Sequence, residues 1–319
     1  MPNLDLIRKD DVSSFRKIAI GTWADAYDPS VYGTMEVNMD EAMRYLADFR
    51  ARTGRKLTVS HMMAKVAAMA LKEVPDANAV LRWNRIYLRK RIGIFFQVVM
   101  TDEGAGKTDL SGATIYDVEK KSLVEIYDDF NAKVERVRKR QDPALESTRK
   151  TFLGVPYFVL NRLLKIISFF SFTLNLDLRW AGIPSDPFGS MMITNVGSLG
   201  LDTAYVPLVP YARVPILLAL GNVRDAPVVR DGKLTVGKIM KVNATFDHRF
   251  IDGFHASVLS KVLRDWFEHP YERFDNLERI NTAAPASSAG SARSCSRSNS
   301  FCQTTGACAA RAVPRDSIA

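Results

Sequence analysis

Helical and strand-like patterns follow one another irregularly along this chain, and their order restricts the possible folds. Two helical patterns come first, at 38–53 and from Ser60 to just before Pro75, and two strand-like runs follow at 85–88 and 92–100. The second run is too continuously apolar for an exposed edge, so both runs are predicted to be central strands. The regular alternation of a doubly wound fold is missing, and no glycine-rich phosphate loop follows an early strand.

The later elements continue this mixture. A long helix is predicted from Val118 to Gln141, and a strand pair is predicted to turn at Asp231 and Gly232. A last strand, "IMKVNATF", leads into a helix with one apolar face. The residues predicted to form that face are Phe254, Val258, Leu259, Val262, Leu263 and Trp266.

Composition predicts an ordinary globular protein with a disordered tail. The chain has 319 residues, 47% of them hydrophobic, which is ample material for a core. Residues 1–280 are predicted to form one domain. Residues 281–319 are rich in Ala, Ser and Arg and have few large apolar side chains, so they are predicted to be disordered.

Charge and cysteine content exclude several function classes. The tail contributes +3 to the net charge of +9, and the remaining +6 forms no basic stripe. We therefore expect a solvated surface and no nucleic-acid partner, although such an excess also suits a polyanionic cofactor. All three cysteines, Cys295, Cys302 and Cys308, lie in the tail, so no catalytic thiol, disulfide framework or metal site is expected in the domain.

One long apolar segment, at about 151–178, interrupts the pattern. Arg162 and Lys165 leave too short a charge-free run for a transmembrane helix. The amino terminus carries charges where a secretory signal would need an apolar run, so we expect a cytoplasmic protein. For the apolar segment we favour a buried helix or a contact between subunits, ahead of an enlarged pocket, with docking on a membrane surface last.

The stretch "FDHRFIDGFHA", at 246–256, carries the main candidate for catalysis. A strand pattern delivers His248 at its end, and Asp252 and Gly253 then turn the chain into the last helix. A neutral imidazole in this position is able to accept a proton from a thiol or a hydroxyl. The alternative is that His248 is a structural residue and Asp252 only caps the helix.

At this point the sequence resembles the catalytic acyltransferase domain of 2-oxo-acid dehydrogenase complexes. "FDHRFIDG" matches the D-H-R-x-x-D-G signature of that family, and "DGFHA" is similar to the related chloramphenicol acetyltransferases. Three upstream segments match in the same order, so the resemblance covers roughly Phe15 to Pro270. These segments are "KLTVSHMMAKVAAMALKEVPDANAVL", "VEKKSLVEI" and "MITNVGSLG".

The resemblance implies a fold and an assembly. The fold would be an α/β, chloramphenicol acetyltransferase-like two-layer sandwich, with a mixed sheet flanked by helices. The subunits would form a homotrimer or a larger trimer-based assembly, with each active site in a channel between neighbouring subunits. Coenzyme A would enter one end of that channel, and a lipoamide-like thiol or another acceptor would enter the other. No metal is implied.

The resemblance also assigns roles to residues. His248 would deprotonate the attacking thiol, and Asp252 would brace the motif through an arginine. Thr194 stands where the family has a serine that stabilises the oxyanion, and the alternative is a β-branched strand residue. Asn195, Gly197 and Ser198 would border coenzyme A. Ser198 is also an alternative donor to the oxyanion. The alternative for Gly197 is that it belongs to an ordinary loop.

Three departures from the family qualify this reading. Gly21 and Thr22 stand where the family has paired arginines, so Arg16, Arg249 or an arginine from elsewhere must serve Asp252. The match begins near Met1, so we expect a stand-alone acyltransferase without lipoyl or subunit-binding domains. The third departure is the apolar segment at 151–178, which is longer than expected.

Two functions therefore remain. The first is an acyltransferase that uses coenzyme A thioesters, which the retention of His248 with Asp252 favours. The second is a non-catalytic trimeric scaffold that has lost turnover. The other histidines, His61 and His269, are expected at the surface or in packing, and His255 is left unassigned.

Overall fold

A six-stranded mixed sheet organises the protein. The computed structural model describes residues 2–8, 29–102, 107–138 and 157–280, so the predicted tail and Arg16 lie outside the described residues. The strands of this sheet are β2 (Ser30–Asn38), β5 (Gly93–Asp102), β6 (Lys107–Tyr116), β7 (Met191–Asn195), β8 (Ile216–Arg230) and β9 (Lys233–Asp247). Their order in the sheet is β2-β9-β8-β7-β5-β6. Strand β7 runs parallel to both of its neighbours, and the other pairs are antiparallel.

Helices cover one face of this sheet and bury the main core against it. The helices of this layer are α1 (Asp40–Thr53), α2 (Val59–Glu73), α3 (Leu123–Arg138), α5 (Gly253–Glu268) and the short α6 (Pro270–Arg273). Phe49, Met63 and Phe267 are fully buried in that core. A smaller apolar cluster, which includes Met192 and Leu217, lies on the opposite face of the sheet. The sheet and its helical layer give the predicted two-layer arrangement.

A second, three-stranded sheet has the order β1-β4-β3. It consists of β1 (Leu6–Arg8), β3 (Ala79–Arg82) and β4 (Arg85–Arg89). The apolar segment forms α4 (Tyr157–Ser168) and continues as one π-helical turn, Phe169–Thr173, whose Phe172 is buried against the small sheet.

Arg213 links α4 to the small sheet. Its guanidinium donates to Ser168 Oγ at 3.2 Å and to the Leu81 carbonyl oxygen at 3.4 Å. Burial, followed by the neighbouring charge of Arg249, lowers the pKa of this arginine.

The helix starts follow from local capping. Asn38 Oδ1 accepts the Asp40 N–H at 3.0 Å, although Met39 is the N-cap residue itself. The predicted cap of α2, Ser60, is wrong by two residues. Thr58 takes that position because His61 completes a capping box with it, in which His61 Nδ1 accepts the Thr58 N–H at 3.1 Å.

Most predicted elements are confirmed. The runs at 85–88 and 92–100 form β4 and β5, each the inner strand of its sheet. The long helix begins at Leu123 after a 3-10 turn, Val118–Lys120. Phe254 does not belong to the buried face of α5, because it lies in the first turn and is 74% exposed.

The turn between β8 and β9 confirms the prediction for Asp231 and Gly232. Both residues have positive φ, 50° and 75°, as a two-residue hairpin turn between twisted strands requires. The two strands continue to this turn beyond the rest of the sheet, and we call residues 223–237 the hairpin arm. Val229, Leu234 and Val236 on this arm are 72–75% exposed.

Candidate active site

His248 lies directly after β9, at the end of the main sheet. Its backbone N–H donates to the Pro29 carbonyl oxygen at 3.0 Å, which ties it to the start of β2. Its Nδ1 lies 2.8 Å from the Ile251 carbonyl oxygen. A carbonyl only accepts, so Nδ1 carries the proton in this contact, and the neutral imidazole has its basic lone pair on Nε2. In this tautomer Nε2 is the nitrogen that can accept a proton.

The residues around His248 hold its loop in place. The Asp247 carboxylate is buried and accepts the backbone N–H of Arg249 at 3.0 Å and its Nε at 2.9 Å. Phe250 and Ile251 are buried in the main core. Arg249, one of the candidates for pairing with Asp252, is therefore engaged by Asp247.

Asp252 caps α5. Its Oδ1 accepts the backbone N–H groups of Phe254 at 3.0 Å and His255 at 3.2 Å, and it lies 2.7 Å from His255 Nδ1. His255, which the sequence left unassigned, completes a capping box. Gly253 has no positive φ, and a Cβ there would meet nothing within 4 Å among the described residues, so the backbone does not need glycine.

Thr194 and Asn195 end β7 on opposite sides of the sheet. Thr194 follows Met192 on the face away from the helices. Asn195 follows Ile193 on the helical face, where its Nδ2 donates to Ser60 Oγ at 3.3 Å. Asn195 Oδ1 also accepts the Ser198 N–H at 3.0 Å, and Ser198 Oγ donates to the Asn195 carbonyl oxygen at 2.7 Å. The exposed Ser198 hydroxyl thus closes its own turn.

Gly197 has a packing reason to be glycine. A Cβ at this position would lie 2.5 Å from the carbonyl oxygen of Gly221 and 2.6 Å from the nitrogen of Asn222. These residues form the irregularity in β8 between Leu220 and Val223. The turn after β7 therefore packs its backbone directly on β8, which fixes where Asn195 and Ser198 lie.

The structure does not bring Thr194 and His248 together within one chain. Thr194 is level with Ala219 of β8, and Ala219 is level with Asn243 of β9. His248 lies five residues beyond Asn243, so strand geometry separates the two Cα atoms by roughly 15–20 Å. No side chain spans that gap, so one chain alone does not join this hydroxyl to this imidazole.

Asn243 belongs to a polar row that the sequence analysis missed. It is buried, accepts the Thr34 hydroxyl at 2.9 Å and donates to the Ala219 carbonyl oxygen at 3.3 Å. Tyr205 OH lies 2.6 Å from the Thr34 hydroxyl. The row crosses the same sheet face as Thr194. An asparagine inside the apolar run "IMKVNATF" was the available signal, since a buried amide needs partners.

Among the described residues, the remaining titratable groups do not form a metal site. In the described ranges, no cluster of three or more His, Cys, Asp or Glu side chains is placed to hold a metal ion. His61 is buried and packs edge-on against Phe130, with 4.7 Å between ring centroids, which fits the predicted packing role. Within those same ranges, each helix is too short or too polar to cross a bilayer.

Comparison with known proteins assigns the chain to a family. The profile of 2-oxoacid dehydrogenases acyltransferase (catalytic domain) matches residues 8–153 and 188–274. The chain belongs to this family. The match covers the His248 motif and the "MITNVGSLG" segment, and it leaves out residues 154–187, which include α4.

Curated relatives carry related names. The chain is 22% identical over 219 residues to the dihydrolipoyllysine-residue acetyltransferase component of the acetoin cleaving system of Bacillus subtilis, covering 69% of this chain and 43% of the relative. It is 24% identical over 250 residues to the corresponding component of the pyruvate dehydrogenase complex of Rhizobium meliloti, covering 76% and 45%. The chain thus spans less than half the length of these relatives.

Solved structures confirm the predicted fold class. A probable dihydrolipoamide acetyltransferase from Listeria monocytogenes superposes with a TM-score of 0.57 at 16% identity, over 85% of this chain and 97% of that chain. The cubic core of a pyruvate dehydrogenase multienzyme complex gives 0.56 at 22% identity, over 83% and 93%. At this identity the likeness establishes the fold, which is the acyltransferase sandwich that the resemblance implied.

Proposed function

We propose that this protein is an acyltransferase that moves an acyl group between coenzyme A and a thiol or hydroxyl acceptor, with a lipoamide-like dithiol as the first candidate. One observation carries the proposal. Within the family motif, the Ile251 carbonyl oxygen holds the Nδ1–H of His248 at 2.8 Å and so selects the tautomer with a basic Nε2.

His248 acts as the general base in this proposal. A thiol with a pKa of about 8.5 is mostly protonated at neutral pH, so its proton must be removed before attack. Nε2 accepts that proton, and the thiolate adds to the thioester carbonyl carbon. When the tetrahedral intermediate collapses, the carbon–sulfur bond to the leaving thiolate breaks, and the imidazolium returns its proton to that thiolate.

Thr194 supplies the hydrogen bond to the oxyanion, but it does so for a neighbouring copy. Its hydroxyl is a competent donor, and its distance from His248 within one chain supports a site shared between subunits. The hairpin arm supports the same arrangement. Val229 lies opposite Leu234, and Val236 shares their face, so the arm presents an apolar strip that suits contact with another copy.

Asp252 and the turn after β7 position the site. Asp252 fixes the start of α5 four residues beyond His248, and its Oδ1 also contacts His255 Nδ1. We place coenzyme A beside the turn formed by Asn195, Gly197 and Ser198. Since their polar groups bind one another, these residues shape the border of the site, and the exposed side of Ser198 faces the pantetheine arm.

The direct test measures free coenzyme A and the acylated acceptor by chromatography, with a panel of acyl-coenzyme A donors and with or without free dihydrolipoamide. Transfer to a thiol leaves the total number of thiols unchanged, so each product is measured separately. Wild-type protein should form coenzyme A faster when the acceptor is present, and His248→Ala should abolish that increase. His269→Ala, at an exposed histidine after α5, is the matched control and should behave like the wild type.

Folded, trimeric wild-type protein without transfer to any acceptor would favour the non-catalytic scaffold. Equal rates in the wild type and His248→Ala would remove His248 from the mechanism. The stand-alone reading additionally requires activity with free dihydrolipoamide, whereas a protein that depends on a lipoylated partner domain would need that domain as its acceptor.

A further inference from the structure

An exposed apolar surface joins α4 to the small sheet. We call Trp83, Val159, Ile166, Phe169 and Phe170 the apolar ledge, and all five side chains are exposed. The ring centroids of Trp83 and Phe169 are 5.9 Å apart, and those of Phe169 and Phe170 are 5.7 Å apart. The β3–β4 hairpin and the π-helical turn thus form one continuous patch.

The scaffold under the ledge is fixed. Arg82 Nε donates to the Thr173 carbonyl oxygen at 3.1 Å, and Arg213 ties Ser168 to β3. Phe172 is buried beneath the patch. The ledge therefore rests on a packed layer of side chains, and its aromatic rings lie on the outer side of that layer.

Helix α4 places its apolar and basic residues side by side. Val159, Ile166 and Phe170 are spaced by seven and four residues, which puts them on one strip of the helix. Arg162 and Lys165 are exposed on the adjoining strip. An apolar strip bordered by cations is the pattern of a helix that lies in a membrane interface.

Trp83 occupies a backbone position that disfavours it. It is the first of two residues in the β3–β4 turn, where Trp83 and Asn84 have φ of 51° and 57°. Such turns favour Asn, Asp or Gly, and a bulky residue with positive φ is an outlier. Trp83 is 61% exposed, so burial within the chain offsets little of that strain. We therefore expect Trp83 to contribute through a contact outside the chain.

The two segments that form the ledge carry charges of one sign. Neither residues 79–92 nor residues 157–176 contain an Asp or a Glu. Arg89, Lys90 and Arg91 pair with Asp186, Asp5 and Asp117, but in the described part of the chain Arg85, Arg162 and Lys165 form no ion pair. The cations that border the ledge therefore remain available to an anionic partner.

We propose that the apolar ledge docks on the surface of an anionic lipid bilayer, with Trp83, Phe169 and Phe170 in the interface and the bordering cations on the headgroups. Tryptophan is enriched at this depth of a membrane, and each nearby Lys or Arg adds attraction to anionic lipid. A symmetric contact with a second copy would bring these like charges together, which disfavours that occupant. The ledge residues of α4 and its π-helical turn lie outside the family match, so the shared fold does not require them.

Co-sedimentation of the full chain with vesicles tests this docking. Vesicles of phosphatidylcholine with phosphatidylglycerol in equal parts should bind the protein at least about tenfold more tightly than phosphatidylcholine alone, and added salt should weaken that binding. Equal binding to both kinds of vesicle, or binding to neither, would overturn the proposal.

A matched pair of charge reversals locates the surface. Arg162→Glu with Lys165→Glu should lower the affinity for anionic vesicles by about tenfold or more. Lys261→Glu with Arg264→Glu has the same spacing and the same change in charge on the exposed side of α5, and it should bind nearly as the wild type does. Equal losses in the two double variants would reduce the effect to net charge and overturn the proposal.

Trp83→Asn separates docking from folding. Asparagine suits positive φ, so the melting temperature should stay the same or rise while vesicle affinity falls. A lower melting temperature with unchanged vesicle affinity would give Trp83 a structural role only. If Phe169→Ser instead breaks a self-association seen by sedimentation velocity without lipid, a second copy covers the ledge and the proposal is overturned.

Discussion

Backbone groups orient the imidazole of His248. The Ile251 carbonyl oxygen fixes Nδ1 of His248. The backbone N–H of Ile251 in turn donates to the Asp247 carbonyl oxygen at 3.1 Å. Many histidine bases use a carboxylate for this purpose, which also stabilises the imidazolium. In this chain the Ile251 carbonyl oxygen gives that orientation.

Thr194 allows the oxyanion role to be tested by single-atom changes. Thr194→Ser keeps the hydroxyl and should retain or raise the rate of acyl transfer. Thr194→Val keeps the shape without the donor and should lower the rate about a hundredfold or more. The apparent affinity for coenzyme A should barely change, because the donor is needed at the charged tetrahedral state. Steady-state kinetics of the two variants give both numbers.

The pair shares one backbone position, so each variant is the control for the other. Equal rates for Thr194→Ser and Thr194→Val would remove this hydroxyl from the site. The backbone near Gly197 would then be the next candidate for the oxyanion donor, because the Ser198 hydroxyl already donates to the Asn195 carbonyl oxygen.

At the scale of elements, the cap of α2 contains a titrating group. Burial lowers the pKa of His61 to about 4, so its ring stays neutral in the folded chain. In the unfolded chain a histidine with a pKa of about 6.5 takes up a proton first. The contribution of neutral His61 to the free energy of unfolding is therefore complete above about pH 6.5. It is lost as the pH falls towards 4, and the total loss is roughly 3 kcal/mol.

His61→Gln should remove that dependence, because glutamine at this position retains an acceptor for the capping box and does not titrate. Urea unfolding at about pH 7 and about pH 5 should show the wild type losing about 2 kcal/mol more than the variant. Parallel losses in the two proteins would show that His61 is not responsible.

The hairpin arm offers a test of the subunit contact. Leu234→Glu with Val236→Glu should dissociate the assembly, since charges on an apolar contact are desolvated without partners. Thr235→Glu, between them on the other face of the strand, should leave the assembly intact. Sedimentation velocity separates the cases, and an unchanged sedimentation coefficient for the double variant would exclude this contact.

The sequence predicted elements well where the local pattern decides them. The periodicity of α1 and the Asp231–Gly232 turn are local, and both are confirmed. The start of α2 was wrong because Ser60 and Thr58 are both suitable caps, and the choice depends on His61 reaching back. Phe254 follows the periodicity of α5, but it precedes the part of the helix that meets the core.

At the scale of the whole molecule, strand order decides what the sequence did not. The motif around His248 and the segment of Thr194 were both recognisable, but their separation depends on β8 lying between β7 and β9. Nothing in the local pattern of either segment encodes that order, because it is set by long-range pairing. The distance between the two groups therefore depends on the fold, and it predicts a site shared between subunits.

Mixed assemblies of two inactive chains test the shared site most directly. His248→Ala and Thr194→Val chains should each be nearly inactive when they are prepared alone. The two chains are then co-expressed with different tags, and the mixed assemblies are purified through both tags. If each site of a trimer takes its base from one copy and its hydroxyl from the next, every mixed trimer has one complete site in three. Purification through both tags keeps only mixed trimers, so about a third of the wild-type rate should be restored. A rate no higher than the average of the two separate variants would contradict the shared site.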